Sequence, residues 1–371
     1  MKTGSPIPRQ VLEKFILGFP GNESPVDLKF YLSGGLAGVI IFPRNYSSPE
    51  TLLESSQKIR AAAGDPALVS IDQEGGRRFA LPSSFTQWPS AEELGQLDDL
   101  TAVESVARGI ARELAAVGCN LDFAPMLDLH LQPGSPVTSE RSYGSNPQRV
   151  GEVGAAFAHG LGAEGVMACA KHFPGHGDTK VDPHESLPVF DGDMERLRHS
   201  ELMPFSRVFD DGVPMVMTAH ILLPRIDAEN PATLSRRILT EILREEMGFE
   251  GVVLADDLGM GAIRERLDPG DAAVRTFAAG ADMALLCHDW DSVAPALKRV
   301  AEAFERGEFA AEEWDASHNR IGQLRQRIQN QPRNVPLSVV GCAEHQALAN
   351  EIRKRAAEKQ KSGDAKNIQE R

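Results

Sequence analysis

The sequence predicts an α/β protein built as a (β/α)8 barrel of the TIM type. Short apolar runs alternate with amphipathic stretches along most of the 371 residues, which is typical of repeated strand–helix units. Seven such units occupy a length close to the ~250 residues of a typical barrel. Polar residues also collect at the carboxyl ends of the apolar runs, and in a parallel barrel these ends meet at one mouth. A doubly wound open sheet is the alternative.

The apolar runs and the stretches between them define the elements. Seven runs are predicted as strands: 36–42, 67–72, 121–128, 166–171, 215–220, 251–256 and 283–287. Amphipathic periodicity predicts helices between them, at 100–117, 150–164, 194–209 and 236–247. The catalytic domain is therefore expected to cover residues 1–331. Residues 332–371 are predicted to form a linker, a charged surface helix at 344–361 and a poorly ordered end. The apolar stripe of this helix is expected to pack on the barrel.

Composition narrows the function classes. A formal net charge of −14 argues against a nucleic-acid groove or an anionic membrane surface, because both need clustered Lys and Arg. The amino-terminal residues lack the apolar core of a signal peptide, and no apolar run approaches the ~18 residues of a membrane helix. Three of the four scattered cysteines, Cys119, Cys169 and Cys287, lie in apolar runs and are expected to be buried free thiols. We expect a cytoplasmic monomer that acts on a small molecule.

Residues 171–188, KHFPGHGDTKVDPHESLP, concentrate histidines and carboxylates. The i, i+4 spacing of His172 and His176 suits a helical zinc motif, but Pro174 and Gly175 make a helix there costly. Convergence of His172, His176, Asp178 and His184 from a loop stays open as a minority metal interpretation. As a loop leaving a strand, the stretch instead places Lys171 and His172 in the barrel mouth.

Asp182 and His184 are two residues apart, and in extended backbone that spacing puts both side chains on one side. A carboxylate beside an imidazole suits a general acid and base, although a structural hydrogen-bonded pair is equally consistent with the spacing. Asp256 follows the apolar run GVVLA and would project into the same mouth. A carboxylate there can attack an anomeric carbon and form a covalent glycosyl intermediate.

These residues carry a family resemblance. KHFPGHGDT followed by DPH, SIDQEGG, ERSYGSNP and GVVLADDLGM together resemble the β-N-acetylhexosaminidases of glycoside hydrolase family 3, in the family's order across most of residues 10–330. The resemblance implies a barrel that removes terminal β-linked N-acetylglucosamine with retention, often from peptidoglycan fragments in cell-wall recycling. It implies Asp256 as nucleophile, His184 as acid/base and Asp182 as its partner. It also implies a set of sugar-binding residues: Asp72, Arg141, Lys171 and His172.

One motif departs from the family pattern. The family usually continues DQEGG to a sugar-binding arginine, whereas this chain reads DQEGGRRFALP, so that Arg77 or Arg78 takes this role or the contact is lost. The β-glucosidase branch of the family draws its acid from a second domain; residues 332–371 are too few to form one, so the acid is expected to come from within the barrel. The expected substrate is a muropeptide or oligosaccharide containing N-acetylglucosamine, with no metal or organic cofactor. The alternatives are a metal-dependent barrel hydrolase, a non-catalytic sugar-binding protein and a glycosidase that uses phosphate instead of water.

Overall fold

Eight parallel strands close into a barrel, so the predicted barrel is confirmed and the open sheet is excluded. The computed structural model describes residues 7–64, 66–77, 81–132, 134–135, 137–177, 179, 181–329 and 335–369, with side chains up to Ser362. The barrel strands are β1 (Phe15–Leu17), β2 (Gly38–Ile40), β3 (Leu68–Ile71), β4 (Leu121–Asp122), β5 (Met167–Phe173), β6 (Met215–Thr218), β9 (Val252–Ala255) and β10 (Met283–Leu286). Their order around the barrel is β1-β10-β9-β6-β5-β4-β3-β2. A two-stranded antiparallel ribbon, β7 (Leu222–Leu223) with β8 (Asp227–Pro231), follows β6.

Helices surround the barrel and bury their apolar faces against it. They are α1 (Arg9–Leu12), α2 (Val26–Gly34), α3 (Pro49–Ala63), α4 (Ala91–Gly95), α5 (Leu100–Ala116), α6 (Pro147–Ala163), α7 (Met194–His199), α8 (Leu202–Asp210), α9 (Gly261–Arg264), α10 (Pro269–Ala279), α11 (Trp290–Glu305), α12 (Ala311–Gln329) and α13 (Ala343–Gln369). The segment Arg237–Glu246 is a π-type helix. Side chains from the strands fill the barrel, and Ile321, Leu324 and Ile328 of α12 join this inner cluster. The barrel is therefore a packed core rather than a pore.

The sequence did not predict barrel strand β1 or the ribbon strands β7 and β8, and it predicted too long a strand β4. Strand β1 completes the barrel by pairing Phe15 with Ala284 of β10 and Ile16 with Gly38 of β2. Its three apolar residues continue into Gly18 and Phe19, so no polar residue marks the carboxyl end of this strand. Strand β4 has two residues instead of the predicted 121–128, because Pro125 has no N–H to donate to a neighbouring strand.

The predicted helix 194–209 is two helices, α7 and α8. Ser200 lies outside helical geometry, with φ −133° and ψ −88°. A continuous helix would bring the ring of Pro204 against the Ser200 carbonyl, four residues earlier. Pro204 is tolerated in the first turn of α8, where its missing N–H would have no helical partner.

The carboxyl-terminal segment packs on the barrel domain through one face of α13. Ala349, Ile352 and Ala356 are buried, and the apolar stripe of this helix packs on the barrel side as predicted. The helix continues to Gln369, past its predicted end at Lys361, and no proline interrupts it. Cys119, Cys169 and Cys287 are buried free thiols, as predicted. None of the helices in the described part of the chain combines the length and apolar composition that a membrane crossing requires.

Candidate active site

The carboxyl ends of the strands enclose one cavity of about 460 Å³ at the barrel mouth. Asp72 follows β3, Lys171 and His172 belong to β5, and Asp256 follows β9. Longer connections bring the remaining predicted site residues to the same place. Seven predicted residues line this cavity together: Asp72, Arg141, Lys171, His172, Asp182, His184 and Asp256. The prediction that separate strands supply one polar site is therefore confirmed.

A buried ion-pair network forms the floor of the cavity. Lys171 Nζ lies 2.6 Å from both Asp72 Oδ1 and Glu74 Oε1. Arg141 donates from Nε and Nη2 to the two Glu74 oxygens, each at 2.7 Å, in a bidentate pair. Burial alone would raise the pKa of the Glu74 carboxyl, but the charges of Arg141 and Lys171 hold it well below its usual value. Glu74 thus fixes both cations, a role the sequence interpretation did not assign to it.

Asp128 orients the imidazole of His172. Its carboxylate accepts hydrogen bonds from His172 Nδ1 at 2.6 Å and from the His176 amide at 2.6 Å. Burial raises the pKa of Asp128, but the neighbouring His172 outweighs this and the net pKa is lowered. Because an ionised carboxylate only accepts, His172 Nδ1 is the donor of this hydrogen bond. Asp128 had no assigned role from the sequence.

The Asp182–His184 pair stands at the exposed rim of the cavity. His184 Nδ1 lies 2.8 Å from Asp182 Oδ1, and the His184 amide donates to the same oxygen at 2.9 Å. The predicted proximity of these two side chains is confirmed. The His184 side chain is 61% exposed, whereas that of Asp182 is 17% exposed. With Nδ1 donating to the carboxylate, Nε2 is the ring nitrogen that can exchange a proton.

Backbone contacts tie this rim to the segment that carries Asp256. The Ala262 amide donates to Pro183 O at 3.0 Å. A Cβ at Gly261 would lie 2.6 Å from His184 O, so a side chain at that position would push the histidine backbone away. Glycine at position 261 therefore allows the candidate acid/base to approach the β9–α9 connection closely.

Asp256 is held ionised at the end of β9. Its Oδ1 accepts a hydrogen bond from the Asp257 amide at 2.7 Å. Burial raises the pKa of Asp256, but His220, His172 and that amide outweigh it, so the pKa lies below its usual value. His220 lies behind the site, with Nε2 3.0 Å from Asp257 O. An ionised, partly buried carboxylate at this position is suited to act as a nucleophile.

Asp257 links two strand ends instead of capping a helix. Its Oδ1 accepts from the Gly259 and Cys287 amides, each at 3.0 Å, which joins the ends of β9 and β10. The next helix, α9, has Met260 at its N-cap, so Asp257 does not cap it. Burial raises the pKa of Asp257 to about 6.

Arg77, one of the two candidates for the family's additional sugar-binding arginine, lies outside the cavity lining. Arg77 has a 93% exposed side chain, pairs with Glu140 and does not line the cavity described above. Arg78 lies outside the described residues. Its exposure and its pairing with Glu140 leave Arg77 without a contact to the cavity.

The three histidines of the 171–188 stretch have separate partners. His172 binds Asp128, the His176 Nδ1 lies 3.0 Å from Thr179 Oγ1, and His184 binds Asp182. Asp178, the fourth member of the metal interpretation, is not among the described residues. Within the described part of the chain, no group of three or more His, Cys, Asp or Glu side chains is arranged to hold a metal ion.

The barrel mouth combines an ionised carboxylate, an imidazole paired with aspartate and a floor of fixed cations, which are groups of the kind that glycoside hydrolysis requires. The chain belongs to glycoside hydrolase family 3, because residues 23–324 match the family described as "Glycosyl hydrolase family 3 N terminal domain". It is 32% identical to Beta-hexosaminidase A of Pseudoalteromonas piscicida over 347 residues, which are 85% of this chain and 58% of that protein. This chain therefore spans less than two thirds of that relative.

Solved structures agree with this assignment. The glycoside hydrolase family 3 beta-N-acetylglucosaminidase from Paenibacillus sp. str. FPU-7 superposes with a TM-score of 0.87 at 36% identity, covering 93% of this chain and 67% of that one. NagZ from Neisseria gonorrhoeae, in complex with N-trifluoroacetyl-D-glucosamine, superposes with a TM-score of 0.76 at 29% identity. That match covers 92% of this chain and 98% of NagZ.

Proposed function

We propose that the protein is a retaining exo-β-N-acetylglucosaminidase that hydrolyses terminal β-linked N-acetylglucosamine. The observation that carries the proposal is the placement of Asp256 and the Asp182–His184 pair around one cavity. The relatives support the sugar specificity, since one is a beta-N-acetylglucosaminidase and another binds an N-acylated glucosamine. Peptidoglycan fragments are the substrate class we favour, with a role in cell-wall recycling in the cytoplasm.

In the first step, Asp256 attacks the anomeric carbon. The bond from that carbon to the glycosidic oxygen breaks as His184 Nε2–H transfers its proton to the departing oxygen. The products are a free alcohol and a glycosyl ester on Asp256. Asp182 holds the proton on Nδ1 and stabilises the charged form of the ring, so that Nε2 is the site of transfer.

In the second step, water replaces the carboxylate at the anomeric carbon. Neutral His184 takes a proton from the attacking water, the ester bond to Asp256 breaks and the carboxylate is restored. Two inversions at the same carbon give net retention. The low pKa of Asp256 helps both steps, because an ionised carboxylate is a nucleophile in the first and a leaving group in the second.

The floor of the cavity holds the sugar during both steps. Lys171 and Arg141 are fixed by Glu74, and Asp72 is fixed by Lys171, so their polar atoms are already ordered before a ligand enters. Binding to such a preordered set avoids much of the entropy cost of ordering long side chains. We assign hydroxyl recognition to Asp72, Arg141, Lys171 and His172.

Asp256→Asn tests this proposal with the smallest change of shape. We expect kcat toward 4-nitrophenyl N-acetyl-β-D-glucosaminide to fall by about 10⁴-fold or more, because the amide cannot form the ester. Asp191→Asn is the matched control, since the Asp191 side chain is 81% exposed, pairs with Arg225 and does not line the cavity. Turnover at the wild-type rate in Asp256→Asn would refute the mechanism.

The same assay separates the alternatives. Addition of inorganic phosphate yields N-acetylglucosamine 1-phosphate if phosphate resolves the intermediate, and free N-acetylglucosamine if water does. A chelator leaves the proposed mechanism unaffected but inactivates a metal-dependent hydrolase. A non-catalytic sugar-binding protein binds N-acetylglucosamine and releases no nitrophenol.

A further inference from the structure

The carboxyl-terminal segment reaches a buried carboxylate of the barrel domain although it lies beyond residues 23–324, which match the family. Glu113 of α5 is 1% exposed, and His345 of α13 is 3% exposed. His345 Nδ1 lies 2.8 Å from Glu113 Oε1, and the Gly341 amide donates to the same oxygen at 3.0 Å. Because an ionised carboxylate only accepts, His345 is the donor of this buried hydrogen bond.

Glu113 also holds the connection between β3 and α4. Thr86 donates its hydroxyl to Glu113 Oε1 at 2.6 Å and its amide to Glu113 Oε2 at 3.1 Å. The next residues contact α13 directly, since Arg353 donates to Gln87 O and the Trp88 ring lies 5.3 Å from the His345 ring. One buried carboxylate thus joins the carboxyl-terminal segment to residues 86–88.

Residues 88 and 89 in turn pack on the backbone next to Glu74. The Gly76 amide lies 3.1 Å from Trp88 O and 3.2 Å from Pro89 O. A Cβ on Gly75 would overlap Pro89 O, so the two backbone segments approach as closely as glycine permits. Glu74, directly before Gly75, fixes Lys171 and Arg141 in the cavity floor.

We propose that His345 is a positioning residue for the sugar-binding floor: through Glu113 it holds residues 86–89 against Gly75 and Gly76, and so sets the place of Glu74. The inference rests on the proposed function, because it assigns the floor to substrate binding. It gives the carboxyl-terminal segment a role in substrate affinity and not only in stability. The effect is on binding because this series of contacts ends beside Glu74, which holds Lys171 and Arg141, and not beside Asp256 or His184.

His345→Ala is the direct test in the full-length protein. We expect KM for 4-nitrophenyl N-acetyl-β-D-glucosaminide to rise about fivefold, the equivalent of one hydrogen bond, with kcat nearly unchanged. His345→Gln retains a side-chain N–H donor and is expected to restore most of the affinity. Lys359→Ala is the control. Lys359 is on the same helix as His345, and the substitution removes only its exposed ion pair with Asp98.

A purely stabilising role predicts a different result. His345→Ala would then unfold at a lower temperature but keep the wild-type KM, and that outcome would overturn the inference. If His345→Ala does not fold, Thr86→Val is the second test. It removes a hydroxyl that donates to Glu113 and belongs to the β3–α4 connection, not to α13. A raised KM in Thr86→Val supports the inference, and an unchanged KM overturns it. A wild-type protein without turnover would refute the proposed function itself, and the inference with it.

Discussion

The floor and the rim of the cavity have similar side chains but differ in how far those side chains are exposed to water. On the floor, Lys171, Glu74 and Arg141 have side chains no more than 8% exposed and are held by charge-assisted hydrogen bonds. At the rim, His184 is 61% exposed and has Asp182 as its acidic partner. Both regions pair a basic side chain with a carboxylate, but only the floor is shielded from water.

This difference in burial matches two requirements: fixed side chains for sugar binding and proton exchange with solvent at the acid/base. Buried charges that are fully paired have fixed geometry, which suits recognition of a sugar hydroxyl. A group that must give a proton to a leaving alcohol and then accept one from water has to be accessible to both. We therefore expect changes to the rim to affect kcat and changes to the floor to affect binding and stability.

Loss of the rim imidazole is the largest expected effect that distinguishes the two regions. His184→Ala is expected to lower kcat/KM for the 4-nitrophenyl glycoside by about 10²- to 10⁴-fold, the usual contribution of a general acid. With a 2,4-dinitrophenyl leaving group the loss of kcat/KM is expected to be smaller, because that phenolate leaves without protonation. Steady-state kinetics with both substrates measure this, and His199→Ala, at an exposed position, is the control. Equal losses for both leaving groups would contradict the acid role.

Removing the charge of Glu74 tests how much the buried ion pairs of the floor contribute to stability. Glu74→Gln leaves Arg141 buried without its counter-ion, and we expect the free energy of unfolding to fall by about 3 kcal/mol. The exposed pair of Glu313 with Arg236 is the matched control, and Glu313→Gln is expected to cost less than about 1 kcal/mol. Urea unfolding measures both. Similar values for the two variants would show that burial of the floor network does not determine its energetic importance.

His176, beside the floor, makes stability depend on pH. Burial lowers its pKa from 6.5 to about 4, so the folded protein keeps His176 neutral while the unfolded chain binds a proton. Its contribution to stability is therefore complete above pH 6.5 and is lost as pH falls toward 4. We expect His176→Gln to flatten this dependence by up to about 1.4 kcal/mol per pH unit. Unfolding free energies across this range measure the slope, with His199→Gln as the exposed control; identical slopes in the wild type and His176→Gln would contradict the assignment.

The smallest expected effect is at Arg77. Its side chain is 93% exposed and paired with Glu140 outside the cavity lining, so Arg77→Ala should leave KM within about twofold of wild type. A clear rise in KM for the chromogenic substrate would show that Arg77 reaches the sugar when substrate is bound.

The barrel, and the residues that its strands place at the mouth, could be predicted from the sequence. Asp256 and Lys171 sit at or beside strand ends, where apolar runs followed by polar residues give a readable signal. Strand β1 gave no such signal because its apolar run continues into Gly18 and Phe19, with no polar residue at its carboxyl end. The two breaks at Pro125 and Pro204 were readable in principle, since proline removes a donor at each place.

The supporting residues were less accessible to sequence reasoning. Glu74 and Asp128 matter through partners 67 and 44 positions away in the chain, and those pairings exist only once the barrel closes. Their signal was a carboxylate near a strand end, which many surface residues share. The link from His345 to Glu113 spans 232 positions and has no local pattern at all.

Intact-protein mass spectrometry tests the proposed glycosyl ester on Asp256 most directly. His184→Ala should still form the ester from 2,4-dinitrophenyl N-acetyl-β-D-glucosaminide but hydrolyse it slowly, because the base for the second step is missing. We expect an added mass of one N-acetylglucosaminyl unit, which peptide mapping locates at Asp256. Turnover without any adduct, or an adduct on another residue, would contradict the mechanism.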